Sequence, residues 1–246
     1  MRATAFEECL LPLLGMTLDL HSLVRAYGVD ELASRIDQTL LAETSAKAKE
    51  FAQKSSKYPF RSLVGLPPMI KHFKEHWKGR LVGVVNFPFG LSPLRSVEFE
   101  MNEAWENGAD EVDLVASPYL ALDDIDKYKE YVRSLIGLAR EVGFDIVKVI
   151  VEAPVLDDKT LVKVAKIVYE LKADFLKTAT GTLHKTSLRD VYLVKASAPG
   201  LEVKASGGIR EPVQALAFLE AGASVIGTST GIEIVEQFRE LKEALG

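Results

Sequence analysis

The distribution of apolar and polar positions along the chain shows one pattern that repeats eight times. Short apolar or β-branched runs alternate with longer stretches in which apolar residues recur every three or four positions. Runs without a polar face are typical of strands covered on both sides, and the longer spacing is typical of helices with one buried stripe. The predicted strands cover residues 36–41, 60–66, 80–88, 111–117, 146–153, 174–180, 201–206 and 224–230.

The stretches between these runs predict helices with identifiable ends. The helix at 124–142 has one apolar stripe with lysines and glutamates opposite, and Gly143 is expected to form its C-terminal cap. Asp157 or Asp158 is expected to cap the start of the helix at 157–171. The other predicted helices cover residues 43–57, 68–78, 93–107, 186–196, 210–221 and 231–244.

Eight strand–helix units within 246 residues favour an α/β protein whose parallel strands close into a (β/α)₈ TIM barrel. An open doubly wound sheet is the alternative. Residues 36–246 form the predicted barrel domain, and residues 1–35 form an N-terminal helical extension in which Asp19 and Gly28 bracket a short helix. This apolar extension is expected to plug the barrel floor or pack on the outer helices, and a subunit interface is the alternative.

Composition restricts the possible partners. The chain is 48% hydrophobic and 26% charged with a net charge of −5, so it has no basic signature for nucleic acid or anionic lipid. We therefore expect small-molecule substrates and other copies of the chain, in a homo-oligomer. Cys9 is the only cysteine and no apolar run reaches membrane-spanning length, so a cytoplasmic location is expected. Scarce asparagine and glutamine with abundant lysine and glutamate hint at a thermophilic source.

Glycine-rich turns follow the sixth, seventh and eighth predicted strands, at residues 180–182, 206–208 and 227–231. Phosphate often binds at this end of such barrels, because glycine lets the backbone approach an anion and helix starts present free N–H groups. The alternative is that all these glycines serve only as turns. The candidate phosphate-binding residues are Gly181, Thr182, Gly207, Gly208, Gly227, Ser229 and Thr230.

The fifth, sixth and seventh strands each contain one lysine within an apolar run, namely Lys148, Lys177 and Lys204. Burying an uncompensated ammonium is unfavourable, although such a side chain can instead point outward and reach water. If Lys177 and Lys204 point inward at similar height, burial and mutual repulsion favour a neutral amine, which can attack a carbonyl. We group Lys148 with the candidate substrate-binding residues.

Two carboxylates also lie within predicted strands, where they are otherwise unfavourable. Asp113 and Asp37 are candidates for the proton transfers that imine chemistry requires. The alternative is that they serve as structural ion-pair partners of the lysines, although pairing with Lys204 would itself belong to a proton relay.

Several motifs together resemble the deoxyribose-phosphate aldolase family. Residues 174–181 (DFLKTATG) resemble its Schiff-base strand, and residues 203–210 (VKASGGIR) resemble its second-lysine strand. Residues 108–115 (GADEVDLV) resemble the strand with the catalytic aspartate. Residues 36–41 (IDQTLL) and 85–90 (VNFPFG) also fit, so the similarity runs in order along the predicted barrel.

The resemblance implies a class I aldolase that reversibly cleaves 2-deoxy-D-ribose 5-phosphate to D-glyceraldehyde 3-phosphate and acetaldehyde. It implies that Lys177 forms the Schiff base with the carbonyl carbon. Lys204 would lower the proton affinity of Lys177 and move protons together with Asp113, and Asp37 would orient this network. The family implies no metal and no organic cofactor.

The sequence departs from the family pattern at several positions, among them residues 64–67 (VGLP), where the family often has a Cys-Val-Asn-Pro-like turn. Gln38 stands where many members have histidine, and Thr182 stands where some have lysine.

The sequence leaves other functions open. One alternative is a Schiff-base aldolase for a different sugar or keto acid. Others are a phosphosugar isomerase or epimerase that uses Asp113 and Asp37, and a degenerate barrel that only binds. His72 and His76 have a spacing that could hold zinc, but we expect them on a solvated outer helix.

Overall fold

Eight parallel strands close into a barrel in the computed structural model, which describes residues 19–245. Each strand pairs with its neighbours in sequence, and the last pairs with the first. The predicted (β/α)₈ barrel is confirmed, and the open sheet is excluded. The strands are β1 (Ile36–Thr39), β2 (Ser62–Gly65), β3 (Arg80–Val85), β4 (Glu111–Val115), β5 (Ile146–Ile150), β6 (Phe175–Lys177), β7 (Glu202–Ser206) and β8 (Val225–Thr228).

All eight predicted barrel helices are present. Of the two short helices before the barrel, only the first was predicted, and the barrel contains one more short helix that was not predicted. That unpredicted helix, α6, lies in the connection after β4. The helices are α1 (Leu20–Ala26), α2 (Val29–Ala33), α3 (Ser45–Ser55), α4 (Pro67–Lys74), α5 (Leu94–Glu106), α6 (Pro118–Asp123), α7 (Ile125–Val142), α8 (Asp158–Glu170), α9 (Leu188–Ser197), α10 (Pro212–Glu220) and α11 (Gly231–Leu245). A 3₁₀ turn follows β5.

The helix ends follow the expected capping chemistry. The Asp157 carboxylate accepts the N–H of Thr160 at 2.8 Å, so Asp157 rather than Asp158 caps α8. Gly143 has a φ of 113° and ends α7 in the left-handed conformation, as predicted. Asp19 accepts the N–H of His21 and caps α1, so the predicted start of the short helix is also confirmed.

The predicted strands are longer than the observed ones, and most of them reach beyond the point where the chain leaves the sheet at the carboxyl end of the strand. The predicted third strand reached residue 88, whereas β3 ends at Val85. Asn86 has a φ of 58°, which is incompatible with a strand. Its amide nitrogen donates to the carbonyl of Val115 and to the hydroxyl of Tyr131, both at 2.8 Å. Side-chain hydrogen bonds of this kind are not visible in a hydrophobic pattern.

The barrel interior is divided between an apolar and a charged part. A small apolar cluster fills the interior on the side of β2 to β5, and it contains Val64, Val82, Val84, Val115 and Ile150. Charged side chains from β1, β4, β5, β6 and β7 fill the other part. Because alternate strand residues share a face, Glu111 and Asp113 point inward while their neighbours Val112 and Leu114 pack toward the helices.

The described part of the N-terminal extension packs on outer helices. In α1, Leu23 and Val24 are buried, and α1 contacts α10 and α11. The Lys242 ammonium of α11 donates to the carbonyls of Val24 and Tyr27 at 2.9 and 2.7 Å. The apolar residues of the predicted extension that precede position 19, and Cys9, lie outside the described residues. The division of the chain at residue 35 stays a prediction.

Within residues 19–245, no helix combines the length and the apolar character that crossing a bilayer requires.

Candidate active site

Lys177 and Lys204 lie side by side inside the barrel. Lys177 is the last residue of β6 and pairs in register with Lys204 of β7. Both ammonium groups donate to the same carboxylate oxygen, Oδ2 of Asp113, at 2.9 and 2.8 Å. Both side chains therefore point inward, on the same face of the sheet.

The two lysines differ in their carboxylate contacts. Lys204 Nζ also lies 2.6 Å from Oδ2 of Asp37, whereas Asp113 is the one carboxylate within residues 19–245 that pairs with Lys177. Burial lowers the pKa of Lys177 to about 8, and Lys204 adds to this lowering while Asp113 opposes it. Burial also acts against protonation of Lys204, but Asp113 and Asp37 together raise the pKa of Lys204 above its usual value.

The carboxylates stay ionised in spite of their burial. Burial alone would raise the pKa of Asp113, but Lys148, Lys177 and Lys204 hold the pKa of that carboxyl well below its usual range. Burial likewise opposes ionisation of Asp37, and Lys204 and Arg61 lower its pKa nevertheless. The carboxylates can thus accept protons only transiently, in exchange with a neighbouring ammonium.

Two members of this charged cluster received no role in the sequence analysis. Arg61, just before β2, contacts Asp37 Oδ1 at 2.9 Å and both oxygens of Glu111 at 2.9 and 3.0 Å. Glu111 also lies 2.6 Å from Lys148 Nζ. The sequence could have indicated these two residues, because Arg61 lies at the edge of an apolar run and Glu111 lies within a predicted strand. Their contact arises only when the barrel closes.

A cavity of about 270 Å³ opens above the lysines at the carboxyl ends of β6, β7, β8 and β1. Lys177 reaches its floor. The predicted residues that line it are Gly181, Thr182, Gly207, Gly208, Gly227 and Ser229, and further lining comes from Thr180, Ser206, Ile209, Arg210, Thr228 and residues 39–42. Backbone N–H groups, hydroxyls and one arginine make this cavity suitable for an anion.

The cavity depends on glycine at specific places. Gly207 has a φ of 112°, and a Cβ there would lie 3.0 Å from the carbonyl oxygen of His184. A Cβ on Gly227 would lie 2.9 Å from Oγ of Ser206 and 3.0 Å from Cε of Lys204, so a larger residue there would crowd both side chains. Gly207, just after β7, therefore keeps the turn beside the cavity compact, and Gly227 of β8 leaves room beside Lys204.

Two predicted binding residues do not line the cavity. Lys148 is fully buried below it, where its ammonium contacts Glu111 and lies 3.0 Å from Oδ1 of Asp113. We reassign Lys148 to the charged cluster, because an ammonium held by two carboxylates is not available to a ligand above it. Thr230 lies beside the cavity, with its N–H and hydroxyl within 3.1 Å of the Thr228 hydroxyl.

Gln38, one of the departures from the family pattern, has a structural contact. Its side-chain oxygen accepts the N–H of Gly231 at 2.8 Å, and its side chain is buried. Gly231 is the first residue of α11, so Gln38 satisfies one of the N–H groups that a helix start leaves unpaired.

Glu152 is a further buried carboxylate at the catalytic face that sequence reasoning missed. It follows β5 in a left-handed conformation with a φ of 49°, and one of its oxygens accepts the N–H of Thr180 at 2.8 Å. The other oxygen lies 3.4 Å from Nδ1 of His184. Glu152 therefore holds the turn after β6 that borders the cavity.

The fold and this geometry define a class of protein. It is a TIM-barrel enzyme in which a buried lysine of lowered pKa, paired to a carboxylate and a second lysine, faces an anion-suited cavity.

Comparisons with known proteins identify the family within that class. The deoxyribose-phosphate aldolase of Caldicellulosiruptor saccharolyticus is 38% identical over 215 residues, covering 84% of this chain and 98% of the relative. That of Aeropyrum pernix is 38% identical over 222 residues, covering 86% and 92%. The solved Aeropyrum pernix enzyme, described as a unique tetrameric structure, has a TM-score of 0.82 at 34% identity and covers 91% and 98%. No protein-family model matches the chain.

The chain belongs to the deoxyribose-phosphate aldolase family and is an aldolase, that is, a carbon–carbon lyase. The family resemblance inferred from the motifs is confirmed.

Proposed function

We propose that this aldolase reversibly cleaves 2-deoxy-D-ribose 5-phosphate to D-glyceraldehyde 3-phosphate and acetaldehyde through an imine on Lys177. The observation that carries the proposal is the shared Asp113 oxygen, which holds the amines of Lys177 and Lys204 side by side beneath the cavity. The lowered pKa of Lys177 supports it, because only the neutral amine attacks a carbonyl.

The reaction starts when the Lys177 amine adds to the C1 aldehyde of the open-chain sugar. Loss of water gives a protonated imine, which serves as an electron sink. Removal of the C3 hydroxyl proton then breaks the C2–C3 bond, and its electron pair moves through C2 toward the imine nitrogen. This step releases glyceraldehyde 3-phosphate and leaves an enamine, whose protonation at C2 and hydrolysis release acetaldehyde.

The neighbouring groups supply the proton transfers and the binding energy. Asp113 contacts both lysines and Lys148, so a proton can pass between the Lys177 and Lys204 amines through one carboxylate. Asp37 holds Lys204 from the other side. The phosphate occupies the end of the cavity formed by the glycine turns, where Ser229 and Arg210 are within the lining.

Reductive trapping tests this proposal. Acetaldehyde with borohydride is expected to leave one ethyl group on Lys177, and Lys177→Ala is expected to abolish the labelling. Lys163→Ala, which removes an exposed lysine of α8, serves as the matched control and keeps the label. A protein that stays unlabelled yet converts a sugar phosphate would contradict the Schiff base and favour the isomerase alternative.

We also propose that the chain acts as a homo-oligomer. Phe99 and Leu91 have exposed fractions of 70% and 66%, and a partner subunit that covers them would remove this apolar surface from water. The Aeropyrum pernix relative is described as tetrameric. Sedimentation equilibrium at micromolar concentration is expected to give a multiple of the chain mass, and a monomer would contradict the proposal.

A further inference from the structure

Six side chains inside the barrel form a closed ring of alternating charges. The ring, here called the charge ring, runs in the order Lys204, Asp37, Arg61, Glu111, Lys148, Asp113 and back to Lys204. Its links measure 2.6 Å, 2.9 Å, 2.9 Å, 2.6 Å, 3.0 Å and 2.8 Å in that order. Five of the six side chains are fully buried, and Arg61 is 16% exposed.

The charge ring contains three cations and three carboxylates, so it is electrically balanced without Lys177. Lys177 is a seventh group, attached to the ring only through Asp113 Oδ2, and its side chain is 5% exposed. A proton on Lys177 therefore adds an uncompensated charge to a buried site. Such a charge is unfavourable where water cannot solvate it.

Arg61 supplies the third positive charge that balances the three carboxylates. Without it, three carboxylates would face the three lysines Lys148, Lys177 and Lys204, and charge neutrality would then require a proton on Lys177. Arg61 is also the only link between Asp37 and Glu111 within the ring. Its planar guanidinium contacts one carboxylate with each terminal nitrogen, a geometry that a lysine ammonium does not reproduce.

Other contacts hold the guanidinium in this place. Its carbon lies 5.6 Å from the ring centroid of Phe175, and Lys148 Nζ lies 6.0 Å from the same ring. A second arginine, Arg80, also touches Glu111 at 3.3 Å, but 47% of its side chain is exposed and it pairs with Asp145 as well. Solvent screens that charge, so Arg80 contributes much less to the balance.

We propose that Arg61 is a positioning residue that completes the charge ring and thereby disfavours a proton on the Lys177 amine. The inference rests on the proposed role of Lys177 as the imine-forming amine. The groups that face Lys177 are Asp113 from β4, Lys148 from β5 and Lys204 from β7, and Arg61 acts on it through the carboxylates that these lysines share.

The test measures the proton affinity of Lys177 directly, by competitive labelling with acetic anhydride at a series of pH values and mass spectrometry of the Lys177 peptide. In Arg61→Met the labelling midpoint is expected to rise by about one pH unit or more. The kcat at pH 7 is expected to fall about tenfold and to recover at higher pH, with KM little changed. Arg80→Met is the matched control, because it removes an arginine from the same glutamate, and its midpoint is expected to stay unchanged.

Two further variants keep the inference falsifiable if Arg61→Met does not fold. Arg61→Lys retains the positive charge and is expected to show a smaller shift than the methionine variant. Glu111→Gln removes a negative charge and is expected to shift the midpoint in the opposite direction, to lower pH. An unchanged midpoint in folded Arg61→Met, or in Glu111→Gln, would overturn the inference.

The same measurements separate this inference from the proposed function. If acetaldehyde and borohydride label Lys177 in the unmodified enzyme while the Arg61 variants titrate unchanged, only the role of Arg61 fails. If Lys177 titrates as predicted but no acetaldehyde adduct forms, the Schiff-base proposal fails and the charge balance stands.

Discussion

A single carboxylate contact distinguishes the two central lysines from each other. Lys177 and Lys204 are in register on adjacent strands and share Asp113, but only Lys204 also contacts Asp37. That extra contact stabilises the ammonium of Lys204, whereas burial lowers the pKa of Lys177 to about 8. The amine with fewer carboxylate partners is therefore the one more available as a nucleophile, and the other stays protonated.

The pH dependence of imine formation follows from the lowered pKa. Because the folded-state pKa of Lys177 lies near 8 rather than at 10.5, about a tenth of the amine is neutral at pH 7, and the fraction rises with pH. We expect the rate of acetaldehyde trapping on Lys177 to increase with pH through a midpoint near 8. A midpoint above pH 10, as for an exposed lysine, would show that burial does not lower the pKa of Lys177.

Replacement of Lys204 is expected to disable both the charge balance and the proposed proton relay. In Lys204→Leu, Asp37 and Asp113 lose a shared buried cation, so we expect about 3–5 kcal/mol lower stability. Turnover is expected to fall on the order of a thousandfold. Raising the pH restores trapping of acetaldehyde on Lys177 but not turnover, because the relay stays broken. Thermal unfolding and steady-state kinetics measure these effects, and near-normal turnover would remove Lys204 from the relay.

At the level of strands and turns, hydrophobic periodicity was sufficient to predict the barrel. Buried apolar runs and striped helices are local properties of a sequence, and the structure contains all eight of each. Helix α6 was missed because it is a single short segment after a strand whose apolar pattern continues into it. The left-handed Asn86 was missed for a different reason, since its conformation depends on hydrogen bonds to distant residues.

The candidate site could be predicted only in part from the sequence, because its contacts join residues that are distant along the chain. Lys177, Lys204 and Asp113 stand out because charges within apolar strands are unusual, and barrel closure then brings them together. The charge ring through Arg61 and Glu111 depends on which side chains point inward at the same height across the barrel. Spacing along the chain does not determine this. For Lys148, the strand context indicated burial but not which groups surround it.

The turn after β7 provides a test at the level of a single element. Gly207 has a left-handed φ, and a Cβ there would meet the backbone of His184 and Thr186 at 3.0 and 3.3 Å. We expect Gly207→Ala to raise the KM for the sugar phosphate about tenfold or more, and to affect unphosphorylated 2-deoxyribose much less. Parallel kinetics with the two sugars check this, and an equal loss for both would show that the turn does not serve the phosphate.

Gly137→Ala is the matched control for that substitution. Gly137 lies within α7, and among the described residues no atom outside the local helix backbone lies within 4 Å of the position its Cβ would occupy. Alanine is the better helix former, so we expect unchanged kinetics and a gain of up to about 1 kcal/mol in stability.

On the scale of the whole molecule, the described extension and the barrel share one continuous core. Leu23 and Val24 of α1 belong to the same apolar cluster as Ile234, Val235 and Phe238 of α11. The hydrogen bonds from Lys242 to the backbone of Val24 and Tyr27 add polar links across this contact. The extension is therefore expected to unfold together with the barrel rather than as a separate unit.

A carboxylate placed into this contact should lower the stability of the entire barrel. Val24 is 2% exposed and belongs to the apolar cluster, so Val24→Asp buries a carboxylate among apolar side chains, and we expect a loss of about 2–4 kcal/mol. Ala26→Asp places the same group on the exposed side of α1 and serves as the control.

Differential scanning calorimetry is expected to show one transition for each variant. The midpoint for Val24→Asp is expected to lie several degrees below that for Ala26→Asp. Lys177 lies inside the barrel and away from this contact, so its trapping by acetaldehyde below the transition should be unchanged. Two separate transitions, or equal midpoints in both variants, would show that the extension contributes nothing to the stability of the barrel.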